Sequence, residues 1–178
     1  MGSRGFTLVE LLVTIAVLAI LAAIAFPSFQ STFRSNRLAG STNELMASLA
    51  LARTEAVRSA RGGGLCASTD GQSCDGEWSD GWIVWADGPG GAVGGFDADA
   101  DSIVRHVGSR PGIELQASSG DGAVDRIGLD ARGRPASATP PVTWRLTPTE
   151  CPAGGEFVRI VSMTLAGQVK SVREVCPP

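Results

Sequence analysis

The sequence predicts an α+β protein: one long N-terminal helix carrying a β-rich head. Three observations predict it. An apolar run fills residues 6–26, a second helical pattern continues to about residue 61, and beyond that the chain breaks into short strand-like segments punctuated by Gly and Pro. The 178 residues are 43% hydrophobic and 19% charged, which suits a folded chain rather than a disordered one. Net charge is −3, so there is no global pull toward nucleic acid or anionic lipid, and any such binding needs a local basic patch.

The first element is a basic leader, residues 1–5, followed by the apolar stretch 6–26. As a helix that stretch is roughly 31 Å long at 1.5 Å per residue, matching the hydrocarbon thickness of a bilayer. An ordinary secretory signal fits poorly, because its small-residue cleavage motif should follow the apolar run. Arg4 predicts that the N-terminus stays cytoplasmic while the bulk is exported. Glu10 is the sole charge between Arg4 and Arg34, and a carboxylate in a membrane span costs about 2.5–3.5 kcal/mol on insertion scales. By default it is functional; the alternative is a residue near the membrane surface that stays wet.

Past Pro27, residues 28–61 contain no further Pro and a single internal Gly before the terminal glycines, Gly40. Leu38, Leu45, Leu49, Ala52 and Ala56 fall on one helical face, with the charged residues largely off it. One helix over 6–61 should therefore kink or melt locally at Pro27. Gly62, Gly63 and Gly64 are expected to end it. Strands are expected at 81–86, 102–107, 113–117, 126–130, 142–146, 157–164 and 169–175, with hairpin turns at Arg132-Gly133 and Ala166-Gly167.

Cys66, Cys74, Cys151 and Cys176 form no Cys-x-x-Cys pair, and His106 has no adjacent ligand spacing, so disulfides are favoured over zinc. Pairing by proximity gives Cys66–Cys74 and Cys151–Cys176, one of three connectivities, and places the head outside the cytoplasm.

Gly5-Phe6-Thr7-Leu8-Val9-Glu10-Leu11-Leu12 resembles the processing site of type IV prepilins and type II secretion pseudopilins. The resemblance implies cleavage by a prepilin peptidase between Gly5 and Phe6 and N-methylation of Phe6. It also implies pairing of Glu10 with the N-terminal amine of a neighbouring subunit during assembly. A buried carboxylate and a buried ammonium offset their desolvation only where they meet. Residues 51–57, Leu-Ala-Arg-Thr-Glu-Ala-Val, and 78–87, containing Trp78, Trp82 and Trp85, are similar to blocks of the GspH/FimT family of minor type IV pilins and H-type minor pseudopilins. That similarity implies the type IV pilin fold: leader 1–5, filament-core helix 6–26, amphipathic half 27–61, and a sandwich-like head at 62–178. It also implies partners among other pilin and minor pilin subunits, and residence in the inner membrane with a periplasmic head before entry into a filament.

Sharper possibilities compete with plainer ones. Trp78, Trp82 and Trp85 would suit a stacking platform for single-stranded nucleic acid, but alternation along a strand favours core. Asp97, Asp99 and Asp101 alternate as in a calcium loop, yet Ser102 and Gly108 stand where that loop needs Gly and Glu, so no metal or cofactor is expected. Some relatives bind DNA through a Gly-Arg-x-Arg motif. The matching positions are Gly167, Gln168, Val169 and Lys170, followed by Arg173, so one of two phosphate-pairing charges survives. DNA binding is then a secondary reading carried by Arg159, Lys170 and Arg173. No nucleophile–base constellation or phosphate-binding loop points to an enzyme. The favoured function is a structural minor pilin near a filament tip, with the type II pseudopilin as alternative.

Overall fold

A computed structural model of the chain describes residues 6–178. The leader, including Gly5, lies outside the described residues, as do the side chains of Ala25, Pro27 and Ser28. The chain divides into two compact units, Met1–Arg37 and Leu38–Pro178.

The first unit contains the start of helix α1, which runs over Leu8–Ser59. Its first turn is capped by Thr7, whose hydroxyl accepts the Glu10 N–H at 3.2 Å and whose carbonyl accepts the Leu11 N–H at 3.1 Å. The hydroxyl thereby satisfies one of the orphan donors at the helix start, and the carbonyl begins the helical ladder. Beyond the cap the large apolar side chains are exposed on all sides, Leu8 at 76% and Leu18 at 63%. A helix apolar all round needs an apolar surrounding that its own chain does not supply. By length and composition no single helix among the described residues qualifies as a membrane span. The segments Leu8–Ile24 and Phe29–Ser59 qualify together as a bent pair. The straight segment Leu8–Ile24 is about 26 Å long at 1.5 Å per residue, and the bend follows it, where a kink was expected at Pro27.

The second unit is built on residues 38–59 of α1 and two antiparallel sheets. The first sheet has the order β3 (Ser102–Gly108), β2 (Gly81–Ala86), β1 (Gly62–Ala67), β6 (Arg126–Asp130). The second has the order β5 (Gly122–Ala123), β4 (Ile113–Ser119), β7 (Val142–Pro148), β8 (Val158–Met163), β9 (Val169–Glu174). Leu38, Leu45, Leu49, Ala52 and Ala56 are all fully buried and share one core with Leu65, Trp82 and Val84 of the first sheet and Leu115, Trp144, Leu146 and Val161 of the second. The helical stripe, the seven expected strands and both turns are present. Gly133 donates its N–H to Asp130, and Gly167 to Thr164, each at 2.8 Å.

The glycine run behaves differently from the expectation. Instead of merely ending the helix, Gly62–Gly64 open β1, a fully buried central strand paired with both β2 and β6. The physical reason is space: a Cβ on Gly64 would lie 2.6 Å from the Trp85 ring, so the indole rests directly on bare backbone. The central strands β1 and β2 of the first sheet are buried on both faces. Trp82 and Val84 enter the main core, while Ile83 and Trp85 form a second cluster with Cys66, Cys74 and Phe96 on the opposite side. A strand covered on both faces reads as continuous apolar sequence rather than alternation.

Candidate functional site

The N-terminal turn is the first candidate site. Thr7-Leu8-Val9-Glu10 has the spacing of a helix start, with the capping hydroxyl at Thr7 and an acidic residue three positions later. Thr7 was not singled out from the sequence; the signal was the Thr-x-x-Glu spacing ahead of an apolar run. Glu10 therefore sits in the first turn, where the backbone partial positive charge favours a carboxylate. Its side chain is exposed, as is Phe6 at 78%, so within the chain both groups are available to a partner.

The second candidate site is the β8–β9 hairpin, with β9 at the free edge of its sheet. Arg159 and Arg173 are direct cross-strand partners, whereas Lys170 pairs with Ser162. Successive strand residues face opposite sides, so Lys170 lies on the other face from Arg159 and Arg173. The structure thus brings two of the three expected cations together and separates the third. Arg159 is further committed to its own backbone, donating to the carbonyls of Glu156 and Val158 at 3.1 Å each. Burial, with Arg173 across the strand, lowers its affinity for a proton.

The remaining sequence candidates have structural employment. Trp78 is 4% exposed and donates its indole N–H to the Val124 carbonyl at 2.7 Å; Trp82 and Trp85 are buried at 2% and 0%. They are core, not a stacking platform. Asp101 accepts the N–H of Gly88 at 2.9 Å and of Asp97 at 2.8 Å, and Asp97 accepts that of Asp99 at 3.0 Å, so the acidic run ties its own loop. Among the described residues no group of three or more His, Cys, Asp or Glu is placed to hold a metal ion. Cys66–Cys74 and Cys151–Cys176 are both disulfide-bonded.

A feature missed from the sequence is Asp87, buried at 4% exposure at the end of β2. It accepts the Trp85 indole N–H at 2.8 Å and the Gly94 N–H at 3.0 Å. Burial pushes its carboxyl above the usual value of 3.8, against those two donors. Arg53, in the 51–57 block, is the other: its Nη1 donates to the Gly167 carbonyl at 2.9 Å, joining α1 to the β8–β9 turn.

A long N-terminal helix, apolar throughout its exposed start and embedded in an antiparallel two-sheet head from Leu38 on, defines a protein of the type IV pilin fold. Residues 41–167 match the family described as type II transport protein GspH, and residues 1–26 match the prokaryotic N-terminal methylation motif. The chain belongs to the GspH family, that of minor type IV pilins and pseudopilins, whose members are structural subunits. Two crystal structures of the type IV minor pilin FimU of Pseudomonas aeruginosa (strain PAO1) share its fold. One, at 23% identity and a TM-score of 0.53, covers 76% of this chain and 87% of that one. The other crystal form, at 22% identity and a TM-score of 0.51, covers 75% and 90%. No curated protein matches the chain. The methylation motif and the apolar helix mark a membrane-anchored pilin that is processed by a prepilin peptidase and interacts with other pilin subunits.

Proposed function

We propose that this chain is a minor subunit of a type IV pilus that primes or joins the filament near its tip. It is made as a precursor in the inner membrane with its head in the periplasm, cut between Gly5 and Phe6, and methylated on Phe6. Glu10 then meets the N-terminal ammonium of a neighbouring subunit. The single observation that carries the reading is Glu10: one exposed carboxylate in the first turn of a helix that carries no other charge before Arg34. Such a group has a net cost in an apolar surrounding unless an opposite charge comes to it.

The test uses two variants of the full chain in its native host. Gly5→Ala should leave the leader attached, while Glu10→Ala should be processed normally but fail to enter filaments. Normal assembly of both would overturn the mechanism.

The second reading, an H-type minor pseudopilin of a type II secretion system, is supported by the family match. The chemistry of the helix would be the same in a different machine. Deletion of the gene with scoring of both pili and secretion separates the two. Lost pili with intact secretion is expected; lost secretion with intact pili would replace the first reading with the second.

A further inference from the structure

Three arginines distant in sequence converge on one cavity of the head. Arg61 follows the end of α1, and Arg132 and Arg134 flank the turn after β6; all three line an open cavity of about 500 Å³. That volume is within the range of small-ligand sites. The cavity also meets Asp87 and the glycine-rich loop that covers the first sheet, including Gly91 and Val93.

The charges do not cancel. Arg134 is held by Asp130 through two hydrogen bonds of 2.9 and 2.7 Å, so that pair is internally neutralised. The two carboxylate oxygens of Asp87 are turned to Trp85 and Gly94. Arg61 and Arg132 are both exposed, and among the described residues neither guanidinium has a hydrogen bond or an ion pair. With the charge of Asp87 counted, the lining carries one net positive charge, and Arg61 and Arg132 present two unpaired guanidinium forks beside glycines without side chains, which suits an oxyanion. A single carboxylate would leave one of the forks unmatched.

We propose that this cavity is an oxyanion site for a phosphate group, with Arg61 and Arg132 as its direct ligands and the Arg134–Asp130 pair as its fixed rim. The site includes neither the N-terminal turn of α1 nor the β8–β9 hairpin, and it does not depend on which filament the chain joins.

The test is calorimetric titration of the full chain, in neutral detergent at constant ionic strength, with pyrophosphate, inorganic phosphate and acetate. Saturable one-site binding of the phosphates is expected, about tenfold weaker in Arg61→Ala and in Arg132→Ala, as fits the loss of a charge-assisted contact. Arg126→Ala removes the same charge outside the cavity and should leave binding unchanged. No saturable binding at low salt, equal weakening by Arg126→Ala, or acetate bound as tightly as phosphate would each overturn the proposal. A readout that needs no variant is arginine modification by phenylglyoxal mapped by mass spectrometry. Pyrophosphate should slow modification at Arg61 and Arg132 selectively, and uniform modification with and without it also overturns the site.

Discussion

The Arg53 guanidinium donates to the Gly167 carbonyl at 2.9 Å, across 114 positions of sequence. Its aliphatic stem passes beneath a second turn, since a Cβ on Gly133 would lie 2.5 Å from Arg53 Cγ. Gly133 and Gly167 adopt positive φ values of 70° and 72°, which favour glycine, and their lack of side chains lets the turns close over the arginine. One side chain of α1 thus engages the β6 turn of the first sheet and the β8–β9 turn of the second. A hydrogen bond from a charged group contributes about 1.5–3 kcal/mol, so Arg53→Ala should lower head stability by that amount. The urea midpoint should fall with an unchanged slope; an unchanged midpoint would show the clasp to be idle.

Glycine positions should divide sharply by environment. Gly64→Ala drives a methyl against the Trp85 ring and the Ile127 carbonyl, with overpacking of about 1–3 kcal/mol or more. Gly40→Ala has nothing within 4 Å and sits inside α1, where it should stabilise by about 0.5–1 kcal/mol. Thermal melts of the two variants should move in opposite directions.

The acid response should contain two opposed contributions. Asp70 is held down to about 2 by the N–H groups of Gln72 and Ser73, so its stabilisation is full above the ordinary value of 3.8 and is lost as pH falls toward 2. Asp87 is pushed up by burial, so the folded state binds its proton more tightly. Its contribution is complete below 3.8 and is lost as pH rises through the elevated folded value. Urea unfolding across that window should show wild type losing stability relative to Asp87→Asn as pH rises, and Asp70→Asn losing its disadvantage as pH falls below 3.8. Parallel profiles for either variant would contradict the assignment.

The Cys151–Cys176 bond spans 25 positions, and the Cys176 N–H donates to the Gly155 carbonyl at 2.7 Å. A loop of this size corresponds to about 3–4 kcal/mol in the chain-entropy description. The Cys151→Ser/Cys176→Ser double variant should therefore lose about that much stability in denaturant titration, and its last residues should become the first site of proteolysis.

Much of the helix was legible because its residues answer to one partner at a time. Leu38, Leu45, Leu49, Ala52 and Ala56 repeat at helical spacing and face a single core, so periodicity identified each of them. The N-terminal motif was equally legible, its residues being fixed in linear order. Strand β1 was not, because Gly62, Gly63 and Gly64 carry no side-chain pattern and their place in the sheet depends on Trp85 and Ile127, distant in sequence. Asp87 and the Arg61–Arg132 convergence were hidden for the same reason. Each draws its character from neighbours that only the folded chain assembles. The basic hairpin shows the converse: Lys170 and Arg173 are close in sequence, yet strand alternation sends them to opposite faces.

The embedding of α1 also has a mechanical meaning. A load applied along residues 38–59 of α1 is met by the head that encloses them. The side chains from Leu38 to Ala56 are interlocked with both sheets over several turns, so such a load acts on them in parallel, as shear, rather than peeling them away one by one. Arg53 stands near the far end of that row and grips the two hairpin turns. Separating this helical segment from the sheets therefore requires its core contacts to yield together.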